Sequence, residues 1–69
     1  MSQGVVIANG CETAAEFPCT IASFLVLLQL LPRSVVVELN GEAVPPSQFA
    51  RRQLTTGDRL EIVRIVAGG

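Results

Sequence analysis

Two Asn-Gly dipeptides constrain the fold of this chain more than any other feature of its sequence. Asn9-Gly10 and Asn40-Gly41 each lie between two stretches that read as extended. A type I′ turn needs positive φ at both central residues, and Asn-Gly is the strongest short signal for such a turn. Two β-hairpins are therefore predicted, and the strands of the first cover about residues 3–8 and 11–15.

The second hairpin begins with a clear strand pattern. Val35, Val37 and Leu39 alternate with Val36 and Glu38, which is typical of a strand with one buried face. A short return strand is predicted over residues 42–44, where it ends at two prolines that cannot donate to a ladder.

A long final strand is predicted from residue 59 to about residue 66. Alternation places Leu60 and Ile62 on the core face, and Val63 and Ile65 on the other face together with Glu61. One helix can cover only one face of a sheet, so Val63, Ile65 and Val36 are predicted to form an exposed apolar partner surface. Alternation alone leaves the opposite parity open.

The segment between the hairpins is predicted to be the main helix. Thr20 is a good N-cap, because its hydroxyl can accept a hydrogen bond from an unpaired backbone N–H. The helix is predicted over residues 21–30, before Pro32, with these side chains at helical spacing facing the core: Ile21, Phe24, Leu25 and Leu28. Farther along, Ser47 is predicted to cap a single helical turn with Phe49 as its apolar anchor. The resulting class is α+β.

The composition narrows the classes of function. The chain has no His and no Lys, and its five basic residues are all Arg. The usual general base, the commonest metal ligand and an amine for a Schiff base or an isopeptide bond are therefore missing. The formal net charge is -1, so the chain lacks the excess of positive charge that is typical of proteins that bind nucleic acid or anionic membranes. We predict no catalytic residue, no metal site and no bound cofactor.

The two cysteines, Cys11 and Cys19, are interpreted as small, buried or half-buried residues. No positive charge precedes the N-terminal apolar stretch, so no signal peptide is predicted and the expected location is the reducing cytoplasm. A disulfide is not expected there, and two cysteines without His make a poor zinc site.

Several of these features occur together in a known order. The segments VVVELNGEAVP, Phe49 and LTTGDRLEIVRIVAGG supply a strand, an Asn-Gly turn, a Val-Pro, an aromatic residue, a Gly-Asp turn and a final strand before Gly-Gly. In this order they resemble the sulfur carrier family of thiamine biosynthesis (ThiS). The resemblance covers about residues 20–69, and the first hairpin more loosely. Pro46 stands where the family usually has Arg, and Phe49 stands where Trp is common.

The resemblance implies a ubiquitin-like β-grasp. Its mixed sheet would have four to five strands, with the first and last strands parallel in the centre and one main helix packed on one face. Residues 1–69 would form a single sulfur-carrier domain with a flexible Gly-Gly tail at about residues 67–69.

The resemblance also implies a chemical role for Gly69. Its carboxylate would be adenylated by an ATP-using adenylyltransferase related to ubiquitin activators. Sulfur from a donor system would then replace one oxygen to give a thiocarboxylate, and thiazole synthase would take that sulfur into the thiazole ring of thiamine. The chain would be a co-substrate and not an enzyme, with ATP used by its partner.

The glycines of the tail fit such chemistry. A carboxylate that must reach a nucleotide inside the binding channel of another protein has to follow residues without bulky side chains. Glycine has no Cβ to collide with the walls of such a channel. Gly68 and Ala67 are therefore predicted to give Gly69 access.

Three other interpretations remain at this stage. The small subunit of molybdopterin synthase also ends in Gly-Gly on a β-grasp, although its tail more often approaches through prolines. A ubiquitin-like protein modifier would form an isopeptide bond through the same carboxylate. A plain binding module would have a tail without function.

Overall fold

The computed structural model describes residues 2–65. Its elements are β1 Ser2–Ala8, β2 Cys11–Phe17, β3 Cys19–Thr20, α1 Ile21–Leu27, β4 Val35–Leu39, β5 Glu42–Val44, β6 Gln53–Leu54 and β7 Arg59–Arg64. Two short 3₁₀ turns cover Pro32–Ser34 and Pro46–Gln48. Strand β2 is two residues longer than predicted, and β7 ends at Arg64, before the predicted end near residue 66.

Both Asn-Gly pairs form the predicted hairpin turns. Asn9 and Gly10 have φ of 50° and 81°, and Asn40 and Gly41 have φ of 52° and 86°. Positive φ at both central residues is the type I′ requirement. The first turn joins β1 to β2, and the second joins β4 to β5.

Five strands form one mixed sheet in the order β2-β1-β7-β4-β5. Strands β1 and β7 are parallel neighbours in its centre and pair Ile7 with Arg59 and Ala8 with Leu60. The other neighbouring strands are antiparallel. This arrangement confirms the predicted β-grasp and puts the last strand in the middle of the sheet.

The main helix is shorter than predicted. Thr20 caps its start, where its side chain accepts a hydrogen bond from the Ser23 amide at 3.0 Å. The prediction that the helix continues to Leu30 is wrong, because Gln29 adopts a left-handed φ of 61°. The Leu30 amide donates to Leu25 and the Gln29 amide donates to Val26, both at 2.9 Å. These two bonds form a Schellman motif that ends the helix.

The helix and one face of the sheet enclose the core. Leu60 and Ile62 are 0% and 7% exposed, which confirms the predicted parity of β7. Leu28, predicted to face the core, is half-buried and lies where the helix ends. The buried apolar residues are Val6, Ala15, Cys19, Ile21, Phe24, Leu25, Val35, Val37, Leu39, Val44, Phe49, Leu54, Leu60 and Ile62.

The loop after β5 accepts hydrogen bonds from the start of the helix. The Ile21 amide donates to Arg52 at 3.0 Å and the Ala22 amide to Phe49 at 2.9 Å, so two early helix N–H groups are paired. Phe49 is buried as predicted. The single helical turn exists, but Pro45 occupies its N-cap and no side chain caps it, so the predicted capping role of Ser47 is wrong. The short β3–β6 ladder in this region was not predicted.

Candidate functional site

The candidate site lies at the end of β7, on the side of the sheet opposite the helix. Alternation along the two central antiparallel strands buries one set of side chains against α1 and exposes the other. We call the exposed side the open face. The predicted tail residues Ala67, Gly68 and Gly69 follow this strand in sequence and lie outside the described residues.

The three predicted partner-surface residues lie together on the open face. Val36 and Val63 are cross-strand partners in the β4–β7 ladder, and the Ile65 amide continues this pairing by donating to Ser34 at 2.8 Å. The exposed fractions of Val36, Val63 and Ile65 are 51%, 61% and 54%. We call these three residues the open-face patch. Contiguous exposed apolar side chains are typical of interaction sites.

A shallow groove of about 360 Å³ borders the open-face patch. Val36 and Ile65 line it from the strand side, and Ala43, Pro45 and Pro46 line it from the β5 side. Pro46 is thus part of a surface beside the patch and begins a 3₁₀ turn. The departure from the family pattern at this position therefore changes the wall of the groove.

The side chain of Asn9 fastens the middle of β7 to the end of β1. Its Oδ1 accepts a hydrogen bond from the Ile62 amide at 2.7 Å, and its Nδ2 donates to the Ile62 carbonyl at 3.0 Å. The Asn9 amide also donates to Leu60 at 2.8 Å. The side chain therefore adds one step to the parallel ladder, beyond the last residue of β1.

The second Asn-Gly turn holds the beginning of the same strand. The Arg59 amide donates to Asn40 Oδ1 at 3.0 Å, and Asn40 Nδ2 donates to Asp58 Oδ1 at 3.2 Å. Asp58 in turn accepts from the Thr55 amide at 2.8 Å. Both asparagines that form hairpin turns also position the strand that leads to the tail.

We expect loss of the Asn9 side chain to destabilise the fold. Asn9→Gly keeps the positive φ but leaves both polar groups of Ile62 without their partner, at a cost of about 1–3 kcal/mol. Asn9→Ala loses the same hydrogen bonds and, unlike Asn9→Gly, keeps a Cβ at left-handed φ without the polar side chain that favours this conformation, a further cost of about 1 kcal/mol. Chemical denaturation would measure both free energies of unfolding.

Asn40→Gly is the matched control, because it changes the same residue in the same type of turn at more exposed hydrogen bonds. It is expected to cost less than Asn9→Gly. An Asn9→Gly variant as stable as the native chain would contradict the assigned role of the side chain.

The two cysteines occupy different environments. Cys19 is buried, and burial raises the pKa of its thiol above the ordinary value. Its Sγ lies 3.4 Å from the Thr20 carbonyl oxygen, to which it donates. Cys11 is exposed, so its interpretation as a buried or half-buried residue is wrong. Its place as the first residue of β2, directly after a hairpin turn, accounts for the exposure.

Within residues 2–65 there is no group of three or more His, Cys, Asp or Glu side chains that could hold a metal ion. No helix in this part of the chain is long and apolar enough to cross a membrane.

The open-face patch can be predicted from the sequence, whereas the contact made by the Asn9 side chain cannot. The patch follows from alternation within two strands, which is a local signal. The partner of Asn9 lies 53 positions away. The dipeptide predicts the turn but contains no information about which backbone its side chain will meet.

Comparisons with family models and with curated proteins each give a match. A family model described as the ThiS family matches residues 7–69. A thiazole synthase of Paramagnetospirillum magneticum (strain ATCC 700264 / AMB-1) is 38% identical over 64 residues, which are 93% of this chain and 20% of that protein. The chain therefore spans about a fifth of the length of this curated relative.

Solved structures show the same fold. The crystal structure of a thiamine biosynthesis protein (ThiS) from Geobacter metallireducens superposes with a TM-score of 0.78 at 25% identity, covering 94% of this chain and 99% of that chain. A solution structure of a thiamine biosynthesis protein from the same organism gives a TM-score of 0.76 at 25% identity, covering 94% and 87%.

Proposed function

The chain belongs to the ThiS family, and on that premise we propose that it carries sulfur for the synthesis of the thiazole ring of thiamine. The family match over residues 7–69 is the observation that carries the proposal. A fold shared with a ThiS structure over nearly the whole length of both chains supports it.

The proposed acceptor of sulfur is the carboxylate of Gly69. The pKa of an α-carboxyl group is about 3.5, so this group is an anion at neutral pH and can act as a nucleophile. The carboxylate oxygen attacks the α-phosphorus of ATP, and pyrophosphate leaves. Sulfide supplied by the donor system then attacks the acyl carbon, and AMP leaves with one of the two former carboxylate oxygens. The product is a thiocarboxylate, in which sulfur has replaced that oxygen.

The proposed partners would supply the catalytic groups, which fits the residue types that the chain lacks. Adenylation and sulfur transfer need an acid–base apparatus that the adenylyltransferase and thiazole synthase would supply. The carrier contributes only a reachable carboxylate and a docking surface. Its lack of His and Lys is compatible with that role, and ATP is a substrate of the partner.

Thiazole synthase is proposed as the acceptor of the sulfur. The relative named thiazole synthase contains a segment 38% identical to this chain, and the rest of that protein is about four times as long. The occurrence of a carrier-like segment within a protein of that name supports a functional link between sulfur carriage and thiazole synthesis. We propose that this chain acts together with a thiazole synthase in the cytoplasm, whether the two are separate polypeptides or parts of one.

Intact mass spectrometry tests the function. The protein is incubated with its adenylyltransferase, ATP and a sulfur source. The expected result is a mass increase equal to replacement of one oxygen by sulfur. An unchanged mass, with an adenylyltransferase that loads another carrier, would overturn the proposal. High-mass conjugates in a cell lysate would instead favour a protein modifier.

We expect both thiols to be dispensable for this reaction. In a variant with Cys11→Ala and Cys19→Ala, the Gly69 carboxylate is unchanged, and the loading yield should stay within about twofold of the native chain. Burial keeps the Cys19 thiol protonated, so it is a poor nucleophile. Each variant is assayed singly as well, after circular dichroism has shown that it is folded. Loss of loading by a folded Cys11→Ala variant would show that the exposed thiol takes part.

A further inference from the structure

The two edges of the five-stranded sheet differ in their capacity to pair with another chain. Strand β5, at one edge, has three residues and is followed by Pro45 and Pro46. Strand β2, at the other edge, has seven residues and contains no proline, lysine or bulge. A long edge strand is a template for pairing with a second chain, whereas short strands and prolines prevent such pairing. β2 is therefore the edge at which self-association is possible.

The backbone groups on the outer edge of β2 belong to Glu12, Ala14 and Glu16. In β1, the amides of Val5 and Ile7 donate to the segment that precedes β7, at 3.0 and 2.8 Å, and not to β2. Hydrogen-bonded and non-hydrogen-bonded pairs alternate along an antiparallel ladder. The partners of Val5 and Ile7 in β2, which are Ala14 and Glu12, therefore direct their own N–H and C=O groups outward, and Glu16 has the same parity.

The sequence of β2 has a glutamate two residues to either side of Ala14. Two copies of the strand can pair antiparallel about a twofold axis at Ala14, and this register uses the outward N–H and C=O groups of all three residues in each copy. It places Glu12 of each copy directly opposite Glu16 of the other. Directly opposed like charges are destabilising. The register that forms the most hydrogen bonds is therefore the one that contains two glutamate–glutamate pairs.

The two glutamates have no partner of opposite charge within residues 2–65. Glu12 lies opposite Ile7 and Glu16 lies opposite Gln3 in the β1–β2 ladder, and neither takes part in the ion pair found in this part of the chain. Both side chains are exposed. Their charges therefore contribute little to the stability of the single chain.

From this arrangement we propose that Glu12 and Glu16 prevent β2 from pairing with a second copy of the chain. They do so by opposing like charges in the register that would otherwise form the most hydrogen bonds. The excluded partner is the chain itself, because a second copy repeats the two glutamates at the positions where they meet. The proposal concerns self-association and does not depend on the proposed function.

Reversal of charge at these two positions tests the proposal. Glu12→Arg replaces each glutamate–glutamate pair with an arginine–glutamate pair in the same register, and Glu16→Arg does the same. Each single variant is expected to dimerise at least about 10-fold more tightly than the native chain, because two repulsive contacts per dimer become attractive. Sedimentation velocity over a series of concentrations measures the association at low salt, where charges are least screened.

The variant with both substitutions is the matched control. Glu12→Arg with Glu16→Arg again places like charges opposite each other, so this variant should be as monomeric as the native chain, although each substitution alone promotes association. Ala14→Pro, added to Glu12→Arg, removes an outward N–H at the centre of the interface and should abolish the dimer. Circular dichroism and Tm would establish that each variant is folded.

Single variants that stay monomeric would overturn the proposal, as would a native chain that dimerises as tightly as they do. Dimers of the variant with both substitutions would also overturn it, because association would then not depend on opposite charges at these positions. A dimer of Glu12→Arg that persists after Ala14→Pro would place the contact outside the centre of β2 and would contradict the assigned register. In each case the proposed function is unaffected, because none of these measurements involves sulfur loading.

Discussion

A variant with one further residue after Gly69 is expected to gain no sulfur. The added residue converts the proposed acceptor carboxylate into an amide, whose carbonyl oxygen is a much poorer nucleophile towards the α-phosphorus of ATP. The expected loss is complete in two assays, ATP–pyrophosphate exchange and intact-mass detection of the oxygen-to-sulfur replacement. Stability should change little, since the described core residues all lie between Val6 and Ile62.

Gly68→Val tests access to the same group while the carboxylate stays free. A β-branched side chain restricts χ1 and the backbone and would collide in a narrow channel, so exchange should be lost with a nearly unchanged Tm. Gly68→Ala, with a single methyl group, is expected to lie between the native chain and Gly68→Val. An extended chain that gained sulfur without being trimmed would show that the Gly69 carboxylate is not the acceptor.

Val63→Asp is expected to weaken binding to the adenylyltransferase by at least tenfold while the fold stays intact. Val63 is 61% exposed, so a carboxylate there remains hydrated in the free protein. In the complex it would lose that water against apolar groups, and a penalty of about 1.4 kcal/mol already corresponds to tenfold. Titration calorimetry would measure the affinity, and thermal unfolding would confirm the fold.

Two control variants identify the cause of the loss of affinity expected for Val63→Asp. Val63→Asn introduces polarity without charge, so a similar loss of affinity would assign the effect to the apolar contact and not to added repulsion. Val37→Asp places a carboxylate on the opposite face of β4, where exposure is 0%, and should unfold the protein. An Asp variant at Val63 that binds as tightly as the native chain would contradict the role of the open-face patch.

The local elements of this protein follow from short-range physical chemistry. Asn-Gly predicts both hairpins because only a few residue pairs tolerate positive φ at two successive positions. Alternation in β4 and β7 separates Val63 from Ile62 because consecutive side chains of a strand point to opposite faces. The N-cap at Thr20 is a contact over three residues. All of these signals lie within a few positions of the structure that they predict.

Other features depend on segments that are distant in sequence or on competition between local conformations. The helix ends at Leu27 because a Schellman motif forms around Gln29, although nothing in the residue type demands a left-handed conformation there. The β3–β6 ladder pairs Cys19 with Leu54, and two-residue strands carry no periodicity. The end of the helix and the pairing of these short strands therefore depend on the packing of the surrounding structure.

Local patterns along the chain are therefore enough to predict the two hairpins, the N-cap of the helix, the parity of the last strand and the family resemblance that points to Gly69. Tertiary packing sets the contact of the Asn9 side chain with the Ile62 backbone and the position of Glu38 opposite Glu61. Turn preference and alternation arise from the sterics of neighbouring residues, so they can be read along the chain. Register between strands depends on how the whole core packs, and it sets which distant side chains meet.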